Sequence, residues 1–269
     1  MPTWEYACSE SIDANINISA GTVSLTAEPT DAVTVRIHKG RSADAGRADD
    51  HDELSDDVSV DYSDRHLIVS ELPRHGRGWH NKELHIAIVM PAGSRAAVQA
   101  ASADISCRGE YGAVDIRTAS GRVDVENVTG AAEISSMSGG VQIAEAAQTT
   151  VQTASGRIAV RHASGDVNVR TASGDIQIGT ADSSVTARSA SGSVRVLRVT
   201  HGRADLNSVS GGVEVRVAPG TGVFLDLASV TGRVTSDLTA SDEESDANLQ
   251  LYARTVSGSL HVARSDLPA

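Results

Sequence analysis

Eight copies of one short cassette run from residue 119 almost to the C-terminus of this chain. Each copy has a small or apolar residue, then Ser or Thr, then Gly, and most continue with two apolar residues separated by a variable one. The copies read ASGRVDV from Ala119, MSGGVQI from Met137, ASGRIAV from Ala154, ASGDIQI from Ala172, ASGSVRV from Ala190, VSGGVEV from Val209, VTGRV from Val230 and VSGSLHV from Val256.

The spacing of the cassettes defines the repeat. From Gly121 through Gly139, Gly156, Gly174 and Gly192 to Gly211, the cassette glycines are 18, 17, 18, 18 and 19 residues apart. Weaker copies lie midway, around Gly130, Gly165 and Gly202. The underlying unit is therefore about nine residues long, and two units make one longer period of about 18 residues.

The apolar residues within a unit predict a short strand followed by a bend. Ile176 and Ile178 alternate with polar residues, as in a strand with one buried face, and Ala181 follows as a third inward residue. The same rule predicts three inward residues in each of two other units, namely Val167, Val169 and Ala172, and Val194, Val196 and Val199. Glycine tolerates positive φ and serine can hydrogen-bond its own backbone, so Ser-Gly predicts the bend.

Short strands that recur at a fixed spacing predict an all-β chain, specifically a β-solenoid whose successive turns stack as parallel strands. One turn would direct about six side chains inward. The pattern leaves open whether a turn has two or three faces. A β-sandwich is the alternative, but it would show hairpin signals and unequal loops.

The repeat weakens toward the N-terminus. Residues 1–100 contain strand candidates at 12–18, 33–37, 58–62, 67–69 and 84–90 and four of the seven aromatic residues. We expect an irregular β-rich cap over 1–100 and the repeat region over 101–269, with 91–100 as the best boundary, although one continuous domain is also compatible. Two acidic insertions, 39–57 and the segment from Ser241, are predicted as solvated loops.

Composition restricts the function classes and the compartment. The net charge of -12 disfavours a general nucleic-acid surface and predicts no nucleic-acid partner. Cys8 and Cys107 are expected to be two small buried residues in a reducing compartment. The N-terminal sequence lacks a basic segment followed by an apolar one, and no apolar run is long enough to span a membrane, so we expect a cytoplasmic location.

The segment LHIAIVMPAGSRAAVQAASADI from Leu84, together with the Ser-Gly cassettes and the terminal RTVSGSLHVA, resembles a bacterial β-strand-repeat family of candidate adhesins, a domain of unknown function. The similarity covers about residues 84–262, and the Pro-x-Gly segment at 90–93 recurs from Ala218. The resemblance implies a right-handed β-solenoid with no established chemistry.

The repeat shares some features with two kinds of functional β-repeat, one that binds calcium and one that cleaves glycans. Calcium-binding nine-residue repeats use two glycines and an Asp in each unit, whereas most units here have one glycine followed by a variable residue. Glycan-cleaving β-helices are the enzyme alternative, with outward candidates at Asp104, Asp115, Asp124, Asp166, Asp175 and Arg157. Outward charges usually form a solvated face, and no aromatic residue lies between Tyr111 and Phe224 to stack on a sugar.

The remaining reactive residue types form no recognisable motif. Histidines occur early, at His38, His51, His66, His75, His80 and His85, but their spacing matches no standard zinc pattern. Ser-Gly indicates a turn here and not a nucleophile, and no phosphate-binding glycine loop occurs. We therefore assign no catalytic, metal or cofactor-binding residue and expect no cofactor.

The sequence favours a non-enzymatic structural or interaction protein. Its outer strands would present rows of Arg, Asp, Gln, Asn and Thr to a protein partner whose identity is unknown. End-to-end self-association into a cytoplasmic polymer and a surface adhesin are alternatives, and a glycan-active enzyme is the more remote one.

Overall fold

The computed structural model describes residues 2–39, 57–72, 83–238 and 248–265. Every regular element within these ranges is a β-strand, which confirms the all-β prediction. No helix that could cross a membrane occurs in these ranges. Most of the two predicted acidic loops, together with His51, His75 and His80, lies outside the described residues.

The first nine strands are β1 Thr3–Ala7, β2 Asp13–Glu28, β3 Ala32–Lys39, β4 Val58–Ser63, β5 His66–Glu71, β6 Leu84–Pro91, β7 Arg95–Tyr111, β8 Ala113–Ser120 and β9 Val123–Ser138. The next six are β10 Val141–Ser155, β11 Ile158–Ala163, β12 Val167–Ser173, β13 Ile176–Ala181, β14 Val185–Ser191 and β15 Val194–Val199. The last six are β16 Gly202–Ser210, β17 Val213–Val217, β18 Val223–Ser229, β19 Val234–Ser236, β20 Leu249–Ser257 and β21 Leu260–Arg264.

The chain divides into two compact units, Met1–Gly130 with Ile134–Ser136, and Ala131–Glu133 with Met137–Ala269. The division that the sequence predicts near residues 91–100 overlaps the start of β7 and stays a prediction.

The first unit combines parallel and antiparallel pairing. The long strand β2 pairs in parallel with β5, β6 and β7. Antiparallel pairs join β1 to β3, β3 to β6 and β4 to β5. Tyr6 on β1 stacks on Tyr62 on β4, with ring centroids 4.7 Å apart. All five strand candidates predicted in this part of the sequence fall on strands, although Ile12 immediately precedes β2.

The second unit is built from two parallel ladders that the chain visits alternately. In one ladder Ile158 of β11 pairs with Ile176 of β13, which pairs with Val194 of β15. In the other, Val167 of β12 pairs with Val185 of β14. Each period of about 18 residues therefore adds one strand to each ladder.

The core of the second unit is formed by side chains that alternate along both ladders. Ile176, Ile178 and Ala181 are fully buried, as the sequence predicts. The prediction of an inward Ala172 is wrong, because Ala172 is exposed and Thr171 is buried in its place. The two halves of a period thus differ. In the half that contains Ile176 the chain bends before the third inward residue, whereas the half that contains Val167 continues as a regular strand and buries a hydroxyl.

Three of the buried hydroxyls donate hydrogen bonds to the carbonyl oxygens of cassette glycines. Ser189 and Ser208 donate to the carbonyl oxygens of Gly174 and Gly192, at 3.2 and 2.9 Å. Thr255 donates in the same way to the carbonyl oxygen of Gly211, at 3.1 Å. A buried carbonyl without a hydrogen bond costs free energy, so Ser or Thr is favoured at these three positions, whereas the buried hydroxyl of Thr171 has no hydrogen-bond partner among the described residues.

Strand order departs from sequence order at the end of the chain. Strand β20 lies between β16 and β18, and β21 lies between β17 and β19. Within the described residues, β18 and β19 therefore have a strand neighbour on one side only.

Candidate functional site

Three of the carboxylates that were candidates for a glycosidase site accept hydrogen bonds from the following turn. Asp175 accepts a hydrogen bond from the backbone N–H of Ser193 at 2.9 Å. Asp166 accepts one from the hydroxyl of Ser183 at 2.7 Å, and Asp104 accepts one from the backbone N–H of Arg122 at 2.7 Å. These aspartates are outward and unburied, as predicted, but each is used to tie one turn to the next.

The other candidates lie in separate contacts. Arg157 lies 3.9 Å from Asp175, so these two predicted residues are close together. Asp115 instead forms an ion pair with Arg117 at 3.1 Å, and Asp124 is half-buried on the neighbouring strand β9. Glycoside hydrolysis requires two carboxyl groups facing one substrate bond, whereas the observed contacts of Asp104, Asp115, Asp166 and Asp175 are with neighbouring protein donors.

The histidines are distributed among separate contacts. His38 and His85 stack with ring centroids 4.8 Å apart, and His66 lies 3.7 Å from Asp13. Burial, and in second place the charge of His85, lowers the pKa of His38 below its ordinary value. Among the residues described, no group of three or more His, Cys, Asp or Glu side chains could hold a metal ion.

The two cysteines differ. Cys107 is buried, as predicted, and burial raises the pKa of its thiol to about 12. The expectation that Cys8 is also buried is wrong, because Cys8 is only half-buried at the end of the short strand β1. Its thiol donates to the carbonyl oxygen of Glu10 at 3.3 Å, and both cysteines are free.

A half-open polar cavity of about 230 Å³ lies in the first unit. Its ionisable lining residues are Asp13, Asp64, Arg65, His66 and Arg95. Arg65 is already paired with Glu10 at 2.6 Å. The cavity mixes opposite charges, and Ser11 lines it together with Asp13 and His66, whose Nδ1 lies 3.7 Å from the Asp13 carboxylate.

The outer face of the second ladder carries two arginine side chains side by side. Arg170 on β12 and Arg188 on β14 are exposed and directly in register. Neither arginine has a hydrogen bond or an ion pair within the described residues. Gln152 and Asn207 continue the same row on either side. Like charges directly opposite one another are unfavourable, so this row is suited to a negatively charged partner.

The same ladder ends in an aromatic group that the sequence analysis did not find. Phe224 on β18 and Tyr252 on β20 have ring centroids 6.0 Å apart, and the guanidinium carbon of Arg203 lies 4.2 Å from the centroid of the Tyr252 ring. These residues come together because β20 lies between β16 and β18. The residue types in the sequence do not predict that strand order.

The arrangement is therefore that of a repetitive all-β protein whose outer strands present rows of polar side chains, without a concentrated reactive centre among the described residues. Residues 13–262 match the model of the Toastrack DUF4097 family, and the chain belongs to that family. The resemblance stated from the sequence is thereby confirmed.

Several solved structures are similar over nearly the whole chain at low identity. A candidate adhesin from Bacteroides fragilis is 10% identical, with 97% of this chain and 96% of that chain covered and a TM-score of 0.47. A candidate adhesin and a candidate lipid binding protein, both from Parabacteroides distasonis, are each 12% identical, with the same coverage and TM-scores of 0.39 and 0.40. No curated protein matches the chain. At these identities and TM-scores the likenesses carry no conclusion about function.

Proposed function

We propose that this protein is a non-enzymatic interaction scaffold that binds a protein partner through the polar outer faces of its repeated strands. The observation that carries the proposal is the in-register pair Arg170 and Arg188, which is exposed and has no neutralising contact in the described ranges. An acidic segment of a partner would remove the repulsion between the two arginines and gain charge-assisted hydrogen bonds.

The use of the aspartates supports the non-enzymatic part of the proposal. Asp166 and Asp175 are bound to backbone or side-chain donors of the next turn, and this is a role in stacking. A right-handed β-solenoid is the form that we propose for the repeat, since the parallel ladders gain one strand each per period.

Affinity purification of the tagged protein from its own cytosol, followed by mass spectrometry and sizing, tests the proposal. We expect a reproducible heterologous partner with the wild-type chain, and its loss from the Arg170→Gln/Arg188→Gln variant. The matched control is Gln142→Glu/Gln177→Glu, because it changes the net charge by the same amount on exposed positions of the other ladder. Capture should also weaken as salt is raised.

The outcomes separate the alternatives. A partner retained equally by both variants would contradict binding through the arginine row. Recovery of the chain alone in large assemblies would favour a self-assembling polymer. A cytoplasmic location is part of the proposal, and cell fractionation that finds the protein at the cell surface would favour an adhesin instead.

A further inference from the structure

We propose that strand β18 is a strand-addition site, at which an extended segment of another protein pairs with the free edge of the ladder and covers the end of the core. This site is different from the row of Arg170 and Arg188, because β16 and β20 separate β14 from β18. It therefore goes beyond the function proposed above and can fail independently of it.

The first observation is that the core is incomplete at β18. Its inward residues Val223, Leu225 and Leu227 are only half-buried. Their register partners on β20 are Leu249, Leu251 and Ala253, which are 0%, 0% and 1% exposed. The difference has a simple cause: β20 has a strand on both sides, whereas β18 has a strand on one side in the part of the chain that is described.

The second observation concerns the backbone. The carbonyl oxygen of Gly222 accepts a hydrogen bond from the N–H of Leu249 at 3.1 Å, and the N–H of Val230 donates to the carbonyl oxygen of Thr255 at 3.3 Å. The backbone groups of the even-numbered residues Gly222 and Val230 therefore face β20. Backbone groups of alternate residues in a parallel strand point to opposite sides. The N–H and C=O groups of Val223, Leu225 and Leu227 therefore face the free edge, where they can bind a further strand.

The other ladder is open at the same end. Val234 of β19 is 42% exposed, although its register partner Leu260 is fully buried. A segment that pairs with β18 and directs aliphatic side chains inward would contact the exposed side of this core as well. Burial of this apolar area would stabilise the complex in addition to the backbone hydrogen bonds.

The features of β18 define the partner segment. It must be extended and aliphatic at alternate positions, as β20 is with Leu249 and Leu251. Its outward residues can be polar, because Asp226 of β18 is on the outer face and already pairs with Arg254 at 3.2 Å.

A second copy of this chain fits the edge less well. The two-fold antiparallel arrangement that pairs the full length of β18 with the same strand of another copy places Asp226 opposite Asp226, and like charges in that position are destabilising. Each copy also carries a net charge of -12, which opposes self-association. We therefore assign the edge to a segment of a different protein.

The test uses a fluorescent peptide, LQLYARTVS, which copies residues 249–257 and thus the strand that β18 accepts on its other side. We expect saturable binding to the full-length chain by fluorescence anisotropy. Leu225→Ser should weaken it at least about tenfold, because it shortens an inward side chain at the free edge. The matched control Val256→Ser removes an exposed apolar side chain from β20 and should change binding less than about twofold.

Two N-methylated peptides test pairing without altering the protein. One is methylated at the residue corresponding to Leu251 and the other at that corresponding to Tyr252. Only one of these N–H groups can face β18, so one peptide should lose binding about tenfold or more and the other less than about twofold. Far-ultraviolet circular dichroism and urea unfolding of both protein variants verify that each is folded.

Four results would overturn the inference. These are the absence of saturable binding by the folded chain, equal weakening by Leu225→Ser and Val256→Ser, equal effects of the two methylated peptides, and a dimer in sedimentation analysis that Leu225→Ser abolishes. The first would mean that the edge is unavailable, and the last would mean that the occupant is a second copy.

Discussion

A Cβ atom on Gly174 would lie 2.0 Å from the carbonyl oxygen of Gly156, the equivalent corner residue one turn earlier. Gly174→Ala should therefore lower the free energy of unfolding by about 2 to 4 kcal/mol, because the backbone of two stacked turns has to separate. Urea unfolding measures this change.

Gly140 provides the control for that substitution. Its Cβ atom would be 3.8 Å from the nearest atom, the carbonyl oxygen of Arg157, so Gly140→Ala should be neutral within about 0.5 kcal/mol. Equal losses in the two variants would show that close stacking is not the reason for glycine at the corner.

The stacking of the corners also marks how far the sequence could predict the fold. Regular spacing from Gly121 to Gly211 was sufficient for the all-β repeat, because each cassette is local and carries its own turn. The sequence suggested glycine for its positive φ, which Gly156 has at 131° and Gly174 does not have, but it could not reveal the contact with the preceding turn.

One wrong prediction and one feature that was not predicted have the same physical origin. Ala172 was placed inside because it is apolar, whereas the strand register places Thr171 beside the buried Ser189 of the next turn and leaves Ala172 exposed. The position of β20 between β16 and β18 was not predicted at all, since neighbours in sequence usually pair. Long-range pairing decided the outcome in both cases, and a local pattern does not contain it.

The role of Asp175 gives a second prediction. Its carboxylate accepts the backbone N–H of Ser193, so Asp175→Ala should lower the free energy of unfolding by about 1 kcal/mol. Asp175→Asn retains an oxygen acceptor and should cost less. Urea unfolding of both variants makes the comparison, and an Asp175→Ala protein as stable as the wild type would contradict the structural role.

The outward direction of this residue was predictable from strand alternation. Its hydrogen bond was not, because residue 193 is a whole period away in sequence. The exposed residues of the candidate site could thus be predicted from the sequence. Their contacts could not be predicted, because these depend on the register of the strands.

The repulsion between Arg170 and Arg188 gives a third prediction. Arg188→Glu creates an attractive cross-strand pair with Arg170 and should raise the free energy of unfolding by about 0.5 kcal/mol at low salt. The Arg170→Glu/Arg188→Glu protein restores a like-charge pair and should lose that gain. Thermal unfolding at low and high salt is the measurement, and a gain that persists unchanged at high salt would contradict an electrostatic cause.

The stacked pair His38 and His85 gives the last prediction, a dependence of stability on pH. The two residues are opposite each other on β3 and β6, and burial followed by the charge of His85 lowers the pKa of His38 from 6.5. The unfolded chain therefore binds a proton at this residue more readily than the folded chain does. As a result, the free energy of unfolding should fall as the pH drops below 6.5 toward the lower pKa of the folded state.

Urea unfolding at about pH 7.5 and 5.5 measures this loss, and an NMR titration locates the pKa of His38 directly. His38→Gln should reduce the pH dependence, because the group that resists protonation is gone. His85→Gln should restore the pKa of His38 only in part, since burial, the larger cause, is retained. A pH dependence that is identical in the wild type and in His38→Gln would show that the stacked pair does not contribute, and that other groups account for the loss of stability in acid.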